Sequence, residues 1–261
     1  MARSGGVQDH PPLEYAWRTH TGLLRDRNED AVAVLPEQGI MVVADGIGGA
    51  SAGEVASSMA TEIISKRLGG QVGLRTNRKR ALMTAEAAVS EANAAIFARA
   101  RSEARCAGMG TTVVVGCVGD GWMAYAHVGD SRLYQLRENA LHQLTVDHSF
   151  IRDVVNKGFF PSVQEARAYG INENILTRAV GSAPQLAISV NFTDLRPGDL
   201  YLMCTDGLSN MVSDDALRSR LSTVEDTLDA AANALIRLAC EAGGVDNITL
   251  ALMRVNRVET G

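Results

Sequence analysis

No stretch of this sequence is apolar for long enough to cross a membrane. The longest runs, such as Thr112 to Val118, fall far short of the eighteen or so residues a span needs. The N-terminus lacks a basic segment followed by an apolar one, so no secretory leader is read there. Runs of five or six Lys or Arg are missing too, and with a formal charge of −5 the chain lacks the electrostatic footprint of a nucleic-acid binder. Cysteine is scarce. The four residues, Cys106, Cys117, Cys204 and Cys240, show no C-x-x-C spacing, and Cys117 and Cys204 fall inside apolar strand-like runs, which argues for buried reduced thiols over zinc ligands or disulfides. Linkers are also wanting: the polar stretch around Arg75 to Arg80 is short and flanked by helical patterns, so it reads as a surface turn. The expectation is a soluble, cytoplasmic monomer without nucleic-acid or membrane partners, folded as one domain over residues 14–256 behind a loose arm, Met1 to Leu13.

What is present is enough chain for a sizeable core, since 261 residues bury roughly 70–75% of their unfolded surface. Short segments rich in β-branched residues read as strands: Tyr15–His20, Ala31–Leu35, Ile40–Ala44, Thr111–Val118, Trp122–Val128, Arg132–Leu136, Asp199–Thr205 and Ile248–Val255. Ala-rich segments with a 3.6-residue period, Glu54–Leu68, Lys79–Arg105 and Thr227–Ala242, read as amphipathic helices. Only Gly129-Asp130-Ser131 separates Trp122–Val128 from Arg132–Leu136, which predicts a hairpin and antiparallel pairing. Hairpin-linked strands with helices in separate blocks point to an α+β fold of antiparallel sheets covered by helices.

Aspartates recur at strand ends beside glycine: Val43-Ala44-Asp45-Gly46, Val128-Gly129-Asp130-Ser131, Cys204-Thr205-Asp206-Gly207 and Gly244-Val245-Asp246-Asn247, with Asp30 ahead of another strand. Singly, each is an ordinary turn. Together they imply converging carboxylates, each close pair repelling by roughly 4 kcal/mol at about 4 Å. Cations must then offset the charge. Oxygen ligands without His or Cys suit hard ions such as Mg²⁺ or Mn²⁺, and two such ions can ionise a shared water for in-line attack on phosphorus.

These residues fall in an order that resembles the metal-dependent 2C-type protein serine/threonine phosphatases, especially compact bacterial members. The matching segments are Gly22-x-x-Arg25-x-x-Asn28-Glu29-Asp30, Val43-Ala44-Asp45-Gly46-Ile47-Gly48-Gly49, Gly110-Thr111-Thr112, Gly129-Asp130-Ser131-Arg132, Leu144-Thr145-x-Asp147-His148-Ser149, Leu176-Thr177-Arg178-Ala179-Val180-Gly181, Cys204-Thr205-Asp206-Gly207-Leu208 and Asp246-Asn247-Ile248-Thr249. The resemblance implies a four-layer α/β/β/α sandwich, two central antiparallel sheets flanked by helices, with a binuclear Mn²⁺ or Mg²⁺ site at one edge. By position, Asp45 bridges the two ions with help from the Gly46 carbonyl, Asp206 and Asp246 bind one ion, and Asp30 supports the cluster through water. Asp130 with Asp206 matches a weaker third ion, and Arg25 matches the phosphate-binding arginine. The segment between His148 and Ile175, with a Ser162-x-x-Glu165 capping box, resembles the family's flap. Phosphorylated proteins, substrates of a serine/threonine kinase, are the implied partners. Two departures stand out: Ile47 occupies the place where some members carry an acid histidine, and Ala50 that of another histidine. His20, His127 and His148 are the available substitutes, with metal-bound water as the default acid.

Two rival readings remain. Gly49-Ala50-Ser51-Ala52-Gly53 is a literal G-x-S-x-G, as in a serine hydrolase with Ser51 as nucleophile, though Ser51 lies six residues beyond Asp45 rather than just after the strand. The other is an inactive phosphatase-like binding module, against which the intact aspartates count. A dinucleotide site fails because the third glycine of G-x-G-x-x-G would fall on Ser51.

Overall fold

The structure, a computed structural model, describes residues 13–48, 52–72, 76–172, 175–223 and 227–256. Eleven strands among them form two antiparallel sheets. One contains β1 (Leu13–His20), β11 (Ile248–Val255), β10 (Leu200–Cys204), β7 (Arg132–Arg137) and β8 (Ala140–Gln143), in that order. The other runs β2 (Asp30–Leu35), β3 (Ile40–Ile47), β5 (Val113–Gly119), β6 (Trp122–Val128) and β9 (Ser189–Asp194), with β4 (Gly110–Thr111) paired to the end of β3. The expected arm falls outside the described residues except for Leu13, which opens β1 opposite Val255.

Two-residue alternation explains the layering. On β3, Met41 and Val43 face the second sheet, whereas Ile40, Val42 and Ala44 face helices. On β10, Tyr201 and Met203 meet the same inter-sheet core, while Leu200, Leu202 and Cys204 point outward to the other helical layer. Each large side chain so buried contributes about 1.5–3 kcal/mol. The central strands therefore read as unbroken apolar runs, because helices cover their outer faces.

Those helices are α1 (Ala52–Gly69) and α2 (Arg78–Ser102) on one side, and α5 (Asp206–Ser209), α6 (Asp214–Ser222) and α7 (Leu228–Glu241) on the other. The stripe Ala52, Ala56, Ala60, Ile64 and Leu68 gives α1 a narrow buried face that lies close against β3. Thr227 caps α7, its side chain accepting from Ala230 N at 3.3 Å. Between β8 and β9 the chain forms α3 (Phe150–Asn156) and α4 (Val163–Ala168), which pack on each other, the latter capped by Ser162 as the capping box predicts.

The hairpin expected at Gly129-Asp130-Ser131 does not form. β6 pairs with β5 and β9, whereas β7 pairs with β10 and β8, so this turn carries the chain from one sheet to the other. β6 and β7 each need partners on both sides to satisfy their backbones, and the two sheets provide them separately. The hairpins fall elsewhere, at Asp120-Gly121 between β5 and β6 and at Glu138-Asn139 between β7 and β8, where both residues take positive φ.

Candidate active site

One end of the sandwich collects the aspartates. Asp45 near the end of β3 stands directly across from Asp30, the first residue of β2. Asp206 opens α5 just beyond β10, Asp246 lies two residues before β11, and Asp130 sits in the crossing between the sheets. Hydroxyls tie these segments together. Asp45 N donates to Thr112 Oγ1 at 3.1 Å, and Asp45 O accepts from Thr111 Oγ1 and Thr112 N, each at 2.8 Å. Thr112 Oγ1 lies 2.6 Å from Ser131 Oγ, which fixes the Asp130 turn against the Asp45 strand. Thr205 Oγ1 donates to Asp30 Oδ2 at 2.9 Å. The glycines of both Asp-Gly pairs permit close approach: a β-carbon at Gly46 would strike the Gly53 carbonyl in the first turn of α1, and one at Gly207 would strike the Asn247 carbonyl.

The electrostatics are those of unmatched negative charge. Burial pushes Asp45 well above the usual carboxylate range, and the charges of Asp30, Asp206 and Asp130 push it further. Asp30 rises to about 7 through burial, with Asp206 and Asp246 adding and hydrogen bonds from Thr249 and Thr205 opposing. Asp130 also rises to about 7 through burial, then through Asp206 and Asp147. Asp206 is raised by burial, then by Asp246, and shares a hydrogen bond with Asp45. Two buried oxygens, Asp30 Oδ1 and Asp206 Oδ1, have no hydrogen-bond partner. Orphaned carboxylate oxygens among like charges fit a hard divalent cation. No three His, Cys, Asp or Glu side chains among the described residues close on a single point. An ion here would therefore draw further ligands from water and backbone carbonyls, as Mg²⁺ and Mn²⁺ commonly do.

Arg25 lies in the loop between β1 and β2, where its Nη2 donates to Asp246 Oδ2 at 2.7 Å while 54% of the side chain stays exposed. Asn247 pins that loop. Its Oδ1 accepts from Glu29 N, and its Nδ2 donates to Thr21 O and Arg27 O, all at 2.8 Å. Arg25, Arg27, Glu29, Gly48 and Asn247 line an open polar cleft of about 470 Å³. Asp130 and Asp206 border a separate, narrow cavity of about 40 Å³ lined also by residues of α3 and α4, with Arg132 held to Asp147 at 2.7 Å.

The predicted carboxylates and Arg25 thus lie at one end of the sandwich, coupled pairwise: Asp45 with Asp30, Asp206 and Asp130, Asp206 with Asp246, and Asp246 with Arg25. Sequence reasoning gave no role to Thr112, Ser131, Thr205 or Asn247, which hold them there; their only signal was membership of the same motifs. The candidate histidines are engaged structurally. His148 Nδ1 accepts from Gly129 N at 3.1 Å, its ring stacks on His127 at 4.6 Å, and burial, then His127 and Arg178, lower its pKa to about 3. His127 Nε2 lies 2.9 Å from Val146 O, and His20 Nδ1 accepts from Gly22 N at 2.9 Å. Ser51, the rival nucleophile, and Ala50 lie outside the described residues.

Comparison with known proteins points one way. The serine/threonine phosphatase Stp of Listeria innocua is 34% identical over 255 residues, covering 94% of this chain and 97% of the relative. Stp1 from Staphylococcus aureus, a solved serine/threonine phosphatase, superposes with a TM-score of 0.86 at 30% identity, covering 94% of this chain and 96% of that one. The catalytic domain of the phosphatase PstP, solved with two manganese ions, gives a TM-score of 0.81 at 33% identity, covering 94% and 99%. The profile of the protein phosphatase 2C family matches residues 23–239, and with the sandwich and its carboxylate end in place, the chain belongs to that family.

Proposed function

We propose that the chain is a protein serine/threonine phosphatase that binds two Mn²⁺ or Mg²⁺ ions at the carboxylate end and hydrolyses phosphoserine and phosphothreonine on proteins. The observation that carries this reading is the set of half-buried carboxylates with raised pKa values and orphaned oxygens beside Arg25. Asp45, the Gly46 carbonyl, Asp206 and Asp246 would hold the ions, and Asp30, tethered by Thr205, would support them through water. The ions, when bound, neutralise the aspartates and activate water for attack on phosphorus. Arg25 grips two phosphate oxygens with its planar fork, starting from a position already fixed by Asn247. With His20, His127 and His148 engaged elsewhere, the leaving oxygen takes its proton from water. Asp130 and Asp206 together form a candidate third, weaker site.

The substrates are then phosphoproteins made by a serine/threonine kinase. Residues 14–256 form the catalytic unit of a monomer, and the buried reduced thiols Cys117 and Cys204 suit a cytoplasmic setting. No helix among the described residues is long and apolar enough to cross a membrane. The test is hydrolysis of a phosphothreonine peptide and of a small aryl phosphate with added Mn²⁺ or Mg²⁺. The expected result is turnover that stops with EDTA. Full activity in chelated protein contradicts the mechanism, and ion binding without turnover supports the inactive module instead.

A further inference from the structure

Ile47 is 36% exposed, two residues beyond Asp45, and has no part in the chemistry above. It opens a groove of about 330 Å³ whose walls include Phe97 and Ala100 of α2, Met109 and Ala179, with Arg101 on the rim. None of the described residues lining this groove is acidic, unlike the polar cleft around Arg25 and the cavity beside Asp130. Gly48, the next residue, lines the Arg25 cleft. The end of β3 therefore carries Asp45 and, within the next three residues, contributes Ile47 to an apolar groove and Gly48 to a charged cleft.

The groove is preformed. Gly46 and Ile47 pair with Thr111 and Gly110, and Thr111 in turn exchanges backbone hydrogen bonds with Val180 at 3.0 and 2.8 Å, so its floor is held from both sides. Buried Asn93 on α2 joins the two lips, accepting from Gly181 N at 2.7 Å and donating to Ala183 O at 2.9 Å. Gly181 has φ +91, and a β-carbon there would strike Ile96, so the lip keeps its shape only with glycine. A preformed recess of about 330 Å³ falls at the lower end of the range for ligand pockets and has room for one apolar side chain.

From these observations, and resting on the phosphatase reading, we infer that the Ile47 groove is a substrate subsite that takes an apolar side chain flanking the phosphorylated residue. A polypeptide that presents its phosphate to the carboxylate end has flanking residues to place nearby, and the groove that begins at Ile47, two residues from Asp45, offers them a mainly apolar lining without a carboxylate. Ile47 then serves to bind substrate at the position where some family members carry an acid histidine. Arg101, its guanidinium carbon 5.7 Å over the Phe97 ring centre, extends that wall.

The experiment compares kcat/KM for phosphothreonine peptides carrying Leu, Ala or Asp at each position on either side of the phosphoresidue, with a small aryl phosphate as the reference substrate. At one position on one flank, Leu should exceed Ala by about tenfold, the usual scale for apolar pocket discrimination. Ala100→Glu, which places a charge in the groove, and Phe97→Ala, which widens it, should each bring the Leu-to-Ala ratio close to one, with thermal melting confirming folded protein. A wild-type ratio near one at every position, or a preference that survives Ala100→Glu in folded protein, overturns the subsite. Failure of the wild-type protein to hydrolyse even the aryl phosphate with Mn²⁺ would bring down the phosphatase reading itself, and the subsite with it.

Discussion

An aspartate lies just outside each end of β10, and the two fare in opposite ways. Asp199, at the start, is 2% exposed and fully met: it accepts from Arg137 Nε and Nη2 at 2.8 and 2.6 Å, from Arg196 N at 2.8 Å and from the Tyr201 hydroxyl at 3.1 Å. Asp206, just past the other end, faces Asp45 and Asp246; its Oδ2 accepts from Asn210 and its buried Oδ1 has no partner. A buried carboxylate with complementary donors fastens a fold. One set among other carboxylates costs stability, and such a group persists where a ligand is to supply the missing charge.

The largest expected effect that would break this contrast is on turnover. Asp45→Ala or Asp246→Ala should lower kcat on the order of 10³-fold, the scale of removing a transition-state charge stabiliser; near-normal steady-state kinetics for either would misassign the site. Asp199→Ala should do the reverse. Arg137 is partly exposed and would keep its bond to the Asp194 carbonyl, so the loss should cost about 3 kcal/mol, the low end for a broken buried pair, visible as a lower denaturant midpoint, while turnover per folded molecule is kept.

A smaller effect belongs to Arg25. Because it is half exposed, Arg25→Ala should cost near the low end for a broken charge pair, about 2 kcal/mol or roughly thirtyfold in kcat/KM. Lysine should restore only part, since an ammonium cannot grip two oxygens at once. Unchanged kinetics would return Arg25 to the surface. The smallest effect is on pH. With ions removed, the folded chain between the ordinary carboxylate range and about 7 holds protons at Asp30 and Asp130 that the unfolded chain has released, so their contribution to stability is lost as pH rises through that window. Added Mn²⁺ competes with those protons. The gain in Tm on adding Mn²⁺ should therefore be larger near pH 7.5 than near pH 5.5, at roughly those values, and an equal gain would detach the ions from these groups.

Central strands were legible in the sequence because both faces are buried: the predicted Trp122–Val128 and Ile248–Val255 coincide with β6 and β11. The edge strands β8 and β9 escaped notice, since their residues are only exposed or half-buried and offer little apolar pattern. The turn at Gly129 was misread because a tight Gly-Asp-Ser turn looks alike whether the next strand pairs with the last or joins another sheet. That choice depends on β9 and β10, far along the chain. Carboxylates at strand ends were visible as Asp-Gly pairs. Their supports were not, because contacts such as Asn247 to Glu29 and Thr205 to Asp30 join segments that only the folded sandwich brings together.

The contrast between the two ends of β10 rests on one physical claim, that the Asp45 end is held together by cations and the Asp199 end by the chain itself. Calorimetric titration with Mn²⁺, followed by melting with and without the ion, tests it in the wild type and in Asp45→Asn. The account predicts at least two ions bound per wild-type chain with a clear rise in Tm, and an Asp45→Asn protein that melts higher than wild type without ions yet gains little from them. A wild type that binds no Mn²⁺, or an Asp45→Asn protein stabilised by the ion as fully as wild type, would contradict it.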